Sequence, residues 1–231
     1  MKLIGKSLVA AALLAVLAAC GQAETQKSPS ETQVSAASSA HDMHAIHGSN
    51  AKMSSHSAEY MQSMGKMHDE MAKAAQKADA DVAFVEGMIP HHQGAIEMAK
   101  IELKYGRDPA MKKLAQEIID AQQKEIGFMQ NWLDHAANKE QVNPQSEHAK
   151  AYLADMGMHD KMMAGVHHEN ADAAFALGMI PHHQGAIEMA KIELKYGKDE
   201  QIKQLAQAII NAQDPEIQLM TNWLKAQGIQ P

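Results

Sequence analysis

The chain has 231 residues, a net charge of −7 and an aromatic content of only 4%, yet it contains 18 methionines and 14 histidines. This acidic balance argues against nucleic acid as a partner, because binding to phosphates requires a basic surface. The single cysteine excludes any disulfide within the chain.

The N-terminus has the pattern of a bacterial export signal. Lys2 and Lys6 precede an apolar stretch at 8–17, which is too short to span a bilayer. The sequence Leu-Ala-Ala-Cys that ends at Cys20 resembles the lipobox of bacterial lipoproteins. We therefore predict a lipoprotein signal peptide at 1–19 and a lipid anchor at Cys20. This places the protein in the periplasm or cell envelope, at the outer membrane if the cell is Gram-negative. A plain signal peptide or a short membrane anchor is the alternative.

The next segment, 20–58, is rich in Ala, Ser, Gln and Thr and shows no apolar periodicity, which predicts a flexible tether. Its second half nevertheless carries several soft or borderline metal donors: His41, Met43, His44, His47, Met53 and His56. Their density favours weak metal capture, and a solvated polar linker is the alternative interpretation.

A long segment of the chain occurs twice. The sequence from Gly87 to Gly106, GMIPHHQGAIEMAKIELKYG, recurs without a change from Gly178 to Gly197. Weaker similarity extends on both sides without a gap, which predicts one repeat at 59–138 and a second at 147–228. Each repeat has about 80 residues, near the lower limit of what can bury a core alone.

The composition of both repeats predicts an all-α fold, because Ala, Met, Leu, Lys, Glu and Gln dominate and runs of β-branched residues are missing. We predict three helices in each repeat, near 59–77, 81–105 and 109–135 and then near 148–168, 172–196 and 199–227. Asp81 and Asp172 are the predicted N-caps of the middle helices. Pro90 and Pro181 lie inside these helices, so each helix either begins or kinks at its proline.

The predicted helices direct metal-binding groups to one interior. At 100° per residue, one stripe of the middle helix contains Met88, His91, His92, Ala95, Met98, Ala99 and Glu102. On the third helix Gln122 and Glu125 interrupt an apolar face, and on the first helix His68 and Met71 share a face with other methionines. Imidazole, thioether and carboxylate groups therefore converge from three helices.

A bound metal explains this convergence better than core packing alone. Burying an unpaired polar group costs about 1–3 kcal/mol, and here the same buried set occurs twice. Methionine alone is usually core filler, so a metal-free structural envelope protein is kept as an alternative. Thioethers favour Cu(I) or Ag(I), and imidazole accepts both Cu(I) and Cu(II), so copper is predicted ahead of zinc. A di-iron centre is disfavoured because no histidine has a Glu three residues before it.

The motif MIPHHQGAIEMA from Met88 to Ala99, followed by Q-x-x-E-I-x-x-M-x-x-W-L from Gln122 to Leu133, closely resembles the bacterial family known as domain of unknown function 305. The resemblance covers nearly all of 60–228. It implies two ferritin-like helical bundles in an exported protein, in a family with members implicated in copper binding and tolerance. The ligand set that it implies is His91, His92 and Met98, with their copies His182, His183 and Met189. Second choices are Met88, Met129, His68 and Met71, with their counterparts Met179, Met220, His159 and Met162.

We therefore predict an exported, lipid-anchored copper-binding protein with one soft-metal site per repeat, which sequesters copper or hands it to an efflux system. Glu125 and its copy Glu216 join the metal candidates because they interrupt the inward face of the third helix. The predicted partners are copper or silver ions, the membrane through Cys20, and a copper efflux system, while the oligomeric state stays open. A copper-dependent redox enzyme such as a Cu(I) oxidase is the alternative function, although the sequence shows no catalytic nucleophile constellation.

Overall fold

The structure is a computed structural model that describes residues 54–154 and 158–231. The predicted signal peptide, Cys20 and nearly all of the predicted tether lie outside the described residues. Seven helices occur in the described part: α1 Ser55–Ala74, α2 Ala80–Tyr105, α3 Pro109–His135, α4 Glu147–Ala154, α5 Met158–Gly165, α6 Ala171–Tyr196 and α7 Glu200–Ala226. No strand occurs there, and the only β-type pairing is an isolated bridge between Lys77 and Val142. The predicted all-α fold with two related halves is confirmed.

The N-caps of the middle helices differ from the prediction. Asp79 caps α2 by accepting a hydrogen bond from the backbone N–H of Val82, and Asn170 caps α6 in the same way. Asp81 and Asp172, the predicted caps, instead lie in the first turn of these helices. The prediction was wrong by two residues because two polar residues compete for each cap, and the more N-terminal one takes it in both helices.

Prolines inside the helices do not end them. Helix α2 runs through Pro90 and α6 runs through Pro181, so neither helix begins at its proline. Helix α7 likewise continues through Pro215. Long helices therefore carry the motif on both sides of the proline, and residues 91 and 92 project from the middle of α2.

The first helix of each repeat departs from the predicted bounds. Helix α1 begins at Ser55, so His56 belongs to this helix and not to the tether. The single helix predicted at 148–168 is described as α4 and α5, and residues 155–157 between them lie outside the described part.

The middle helices of the two repeats pack directly against each other in an antiparallel orientation. A methyl group added to Gly87 of α2 would lie 3.2 Å from Cε of Met189 in α6, and one added to Gly178 would lie 3.0 Å from Cε of Met98. The early part of each helix therefore meets the late part of the other. Both hydrophobic cores combine residues of both repeats, and all seven helices belong to one compact unit.

Hydrogen bonds also join the first helix of each repeat to the other repeat. The Nε2–H of His56 donates to the carbonyl of His168 at 2.9 Å, and Ser57 Oγ donates to the carbonyl of Val166 at 2.9 Å. In the other direction, Nε2–H of His148 donates to the carbonyl of Lys77 at 2.8 Å. None of the described helices is long and apolar enough to cross a membrane.

Candidate metal site

The first histidine of each His-His pair meets its copy where α2 and α6 cross. The ring centroids of His91 and His182 are 3.9 Å apart, and each residue is only 4% exposed. The antiparallel packing explains this contact, because it brings residues near the middle of both helices to the same level. These two histidines, which were predicted in separate sites, therefore lie in one shared cluster.

The second histidine of each pair is fixed within its own repeat. His92 is fully buried, and its Nε2 lies 2.6 Å from Oε2 of Glu125 on α3. His183 and Glu216 form the same pair at 2.6 Å. Since a carboxylate only accepts, the imidazole must donate from Nε2, and its Nδ1 is left as the atom with a free lone pair.

Five imidazole nitrogens in this cluster are buried without a hydrogen-bond partner. They are Nδ1 of His91, His92, His182 and His183, together with Nε2 of His182. Each such group costs about 1–3 kcal/mol when it is left unsatisfied. In a neutral imidazole, one ring nitrogen carries a lone pair that a metal ion can accept. The buried, unpaired nitrogens, repeated in both halves of the cluster, therefore fit a metal site.

Burial also keeps the central imidazoles neutral. Desolvation lowers the pKa of His91 and of His182 well below the usual value, and the neighbouring histidines lower it further. A hydrogen bond with the backbone of His182 opposes the shift at His91 only in part. Neutral imidazole is the form that binds metals, so both central histidines are in the form suited to ligation at neutral pH.

A cavity with thioether groups in its wall lies on one side of this histidine cluster. It has a volume of about 110 Å³ and lies beside the two central histidines. The residues of its wall with chemical donors are His68, Met71, His91, Tyr152, Met162, His182 and Met189, and they come from α1, α2, α4, α5 and α6. The cavity thus brings together imidazole from both repeats with three methionines.

The remaining predicted residues lie elsewhere. Four methionines are fully buried in the two apolar cores and do not line the cavity: Met88, Met129, Met179 and Met220. Met98 is also buried, and it packs against Gly178. The side chain of His159 lies outside the described part of the structure. The five methionines are therefore placed as core residues.

Met67 shares the inward face predicted for the first helix and was not among the predicted ligands, yet it is a neighbour of the cluster. A methyl group added to Gly94 would lie 2.6 Å from Sδ of Met67 and 3.3 Å from Nε2 of His182. The thioether of one repeat is therefore close to the imidazole of the other. Glycines at 87 and 94 on one helix were the available signal, because small residues permit two helix backbones to approach closely.

Among residues 54–154 and 158–231, no three side chains of His, Cys, Asp or Glu are grouped so that they could hold a metal ion. Thioether sulfur, which the cavity methionines carry, is a ligand type that selects soft metal ions.

Comparison with known proteins identifies the family. Two overlapping stretches, 10–133 and 81–224, match the family described as domain of unknown function (DUF305). The chain belongs to this family. The second stretch runs through both copies of the MIPHHQGAIEMA motif, and the prediction from the motif is confirmed.

Solved DUF305-like structures share the fold. The chain is 32% identical to CopM in a silver-bound form, with a TM-score of 0.50 over 63% of this chain and 95% of CopM. A Cu(II)-bound form of CopM gives 32% identity and a TM-score of 0.50, over 63% of this chain and 97% of CopM. A DUF305 protein from Streptomyces coelicolor gives 29% identity and a TM-score of 0.55, over 66% and 94% of the two chains.

One viral protein is similar over a short segment. Protein L153 of Acanthamoeba polyphaga mimivirus, which is uncharacterized, is 46% identical over 54 residues, or 23% of this chain. The match spans only 36% of the length of that viral protein.

Proposed function

We propose that this protein binds copper or silver ions at the interface between its two repeats. The observation that supports the proposal most strongly is the contact between His91 and His182, whose buried rings are 3.9 Å apart and carry unpaired nitrogens. Because one imidazole comes from each repeat, metal binding would join the two halves of the protein.

The donor types favour a soft ion. Met71, Met162 and Met189 line the cavity beside the two histidines, and thioether sulfur discriminates against Mg²⁺, Ca²⁺ and Mn²⁺. Imidazole binds both Cu(I) and Cu(II), so the mixed set suits Cu(I) and Ag(I) best and accepts Cu(II). CopM, which has the same fold, has been solved in silver-bound and Cu(II)-bound forms.

We assign the roles of the residues from their positions and from their hydrogen bonds. His91 and His182 are the central ligands, and the cavity methionines supply sulfur. His92 and His183 face inward with Nδ1 as the free donor, while Glu125 and Glu216 orient these rings and are not ligands themselves. This assignment places both glutamates outside the set of atoms that contact the metal.

In the cell, the protein would hold copper outside the cytoplasm. The lipobox-like sequence at Cys20 supports an exported, lipid-anchored protein, and the Streptomyces coelicolor relative carries the description of a secreted protein. Sequestration, or transfer to an efflux system, requires only reversible stoichiometric binding. A Cu(I) oxidase would instead consume oxygen continuously, so oxygen uptake during incubation with Cu(I) separates the two functions.

Site-directed variants test the shared site. The mature protein and its His91→Ala variant are titrated with Cu(I) against a competing chelator, with His135→Ala as the matched control. His135 is exposed on α3, and its Nδ1 lies 2.8 Å from the Asn131 carbonyl on the same helix. We expect His91→Ala to weaken all tight Cu(I) binding by about tenfold or more, and the control to bind like the wild type.

The same titration distinguishes a shared site from separate sites. If His91→Ala together with His92→Ala leaves half of the tight binding at unchanged affinity, the second repeat binds metal alone and the shared site is wrong. Circular dichroism of each variant shows whether the helices remain folded.

A further inference from the structure

A second set of buried polar groups joins the repeats away from the histidines. Asp172, in the first turn of α6, accepts hydrogen bonds from the backbone N–H groups of Arg107 and of the residue after it, both at 2.8 Å. Asp81 of α2 accepts the equivalent bonds from Lys198 and the next residue, at 3.0 and 2.9 Å. Each repeat therefore holds the chain that enters the third helix of the other repeat.

A fully buried glutamate lies beside each of these aspartates. Glu102 interacts with Asp172, and Glu193 interacts with Asp81. In the described part of the protein, no N–H or O–H group donates to either carboxyl oxygen of Glu102 or of Glu193. The aspartates can only accept as long as they are charged. A glutamate in this position is therefore satisfied only if it carries a proton and donates it to the aspartate.

The surroundings of each glutamate favour its protonated form. The groups that face Glu102 are Tyr60 of α1, Asp108 and Lys112 at the start of α3, and Asp172 of α6. Those that face Glu193 are Tyr152 of α4, Asp79 and Asp81 at the start of α2, and Lys203 of α7. Burial and the neighbouring aspartate outweigh the lysine in each case, raising the pKa of Glu102 to about 8 and that of Glu193 to about 9.

Glycine leaves the space that each glutamate occupies. A methyl group added to Gly106 would collide with Oε1 of Glu102, and one added to Gly197 would collide with Oε1 of Glu193. The carboxyl group is thus packed against the backbone just before α3 or α7, where the aspartate of the other repeat also binds. The same arrangement of glutamate, aspartate and glycine occurs at both ends of the interface.

We propose that these two carboxylic acid–carboxylate pairs form a proton-operated latch between the repeats. With Glu102 and Glu193 protonated, each O–H donates to its aspartate and closes the latch. When the proton leaves to solvent, two carboxylates face each other in a buried place, and their repulsion loosens the contact. The latch uses none of the histidines, so it operates in the metal-free protein.

The direction of the pH effect follows from the protonation states. The folded protein retains a proton that the unfolded chain releases near the ordinary glutamate value of 4.5. The stabilisation is fully present below that pH. It is lost progressively as the pH rises towards the folded-state values, after which stability changes no further through these groups.

The latch is tested by urea unfolding of the metal-free protein at about pH 6 and about pH 9. The wild type is compared with the variant Glu102→Gln/Glu193→Gln. Glutamine keeps the shape of the side chain, and its amide donates to the aspartate at either pH. We expect the unfolding equilibrium constant of the wild type to rise at least about tenfold more between these pH values than that of the variant. The matched control is Glu97→Gln/Glu188→Gln, since these glutamates lie on the same two helices with side chains that are 52% and 42% exposed. The control should follow the wild-type profile.

Parallel pH profiles for the wild type and Glu102→Gln/Glu193→Gln would overturn the latch. If that variant does not fold, infrared spectroscopy of the wild type decides. The latch predicts a protonated-carboxyl band at neutral pH that disappears on titration to about pH 10. Absence of this band at neutral pH would also overturn it.

Discussion

At the scale of single residues, the hydrogen bond between His92 and Glu125 decides which atom of the imidazole can bind metal. Its Nε2 is engaged at 2.6 Å, so Nδ1 is left to face the interior without a partner. A carboxylate behind a ligating histidine fixes the ring and raises its basicity. Glu125, which interrupts the apolar face of α3, thus has a structural explanation that does not require it to touch metal.

Replacement of Glu125 by glutamine tests this orienting role. The amide keeps the size of the side chain but removes the charge that favours the Nε2–H tautomer of His92. We expect Glu125→Gln to lower Cu(I) or Ag(I) affinity by about 10- to 100-fold. Glu117→Gln is the matched control, because Glu117 is an exposed residue of the same helix that pairs with Lys113. Equal affinities of the two variants would show that Glu125 does not orient the ligand.

The buried central histidines should resist protonation. Desolvation and their histidine neighbours lower the pKa of His91 and His182, so both remain neutral in the metal-free protein when the pH falls below about 6.5. The unfolded chain takes up these protons, and stability is therefore lost as the pH falls below that value. Titration of the two rings by nuclear magnetic resonance, compared with the chain unfolded in urea, measures the shift. Identical midpoints in the folded and unfolded states would contradict it.

At the scale of helices, composition and periodicity predicted the second and third helices of each repeat to within a few residues, although the predicted caps Asp81 and Asp172 lie in the first turn. In the structure, Asp108 caps α3 and Pro109 is its first residue. The first helix was harder to predict, because the polar residues around Ser55 resemble the tether in composition. The buried His56 and Ser57, which follow the Ser54 cap, donate hydrogen bonds to carbonyl groups of the other repeat, and local sequence does not reveal these contacts.

Replacement of two helical glycines by alanine should change the stability of the protein in opposite directions. A methyl group at Gly165 would lie 2.6 Å from the backbone carbonyl atoms of Leu177, so Gly165→Ala should cost about 1–3 kcal/mol of stability. Gly127 lies inside α3 with no atom within 4 Å of an added methyl group, so Gly127→Ala should add about 0.5–1 kcal/mol. Urea unfolding of both variants checks the pair. Similar changes in both would mean that α5 does not pack closely on α6.

At the scale of the whole molecule, duplication alone did not predict how the repeats meet. The periodicity of α2 shows that His91 and His92 face inward. It does not show whether each repeat forms a separate bundle around its own inward face or whether the inward faces of the two repeats pack against each other. The structure adopts the second arrangement, with α2 antiparallel to α6 and with reciprocal aspartate bonds at both ends. The donor types were predictable from sequence, whereas the pairing of His91 with His182 depended on this packing.

The most direct test of a metal site shared by the two repeats is anomalous diffraction from crystals of the copper-loaded protein. We predict a copper ion between α2 and α6, bonded to an imidazole nitrogen from both His91 and His182 and to thioether sulfur. Copper ions held entirely within each repeat, for example by His91, His92 and Met98 with no ligand from the other repeat, would contradict the shared site.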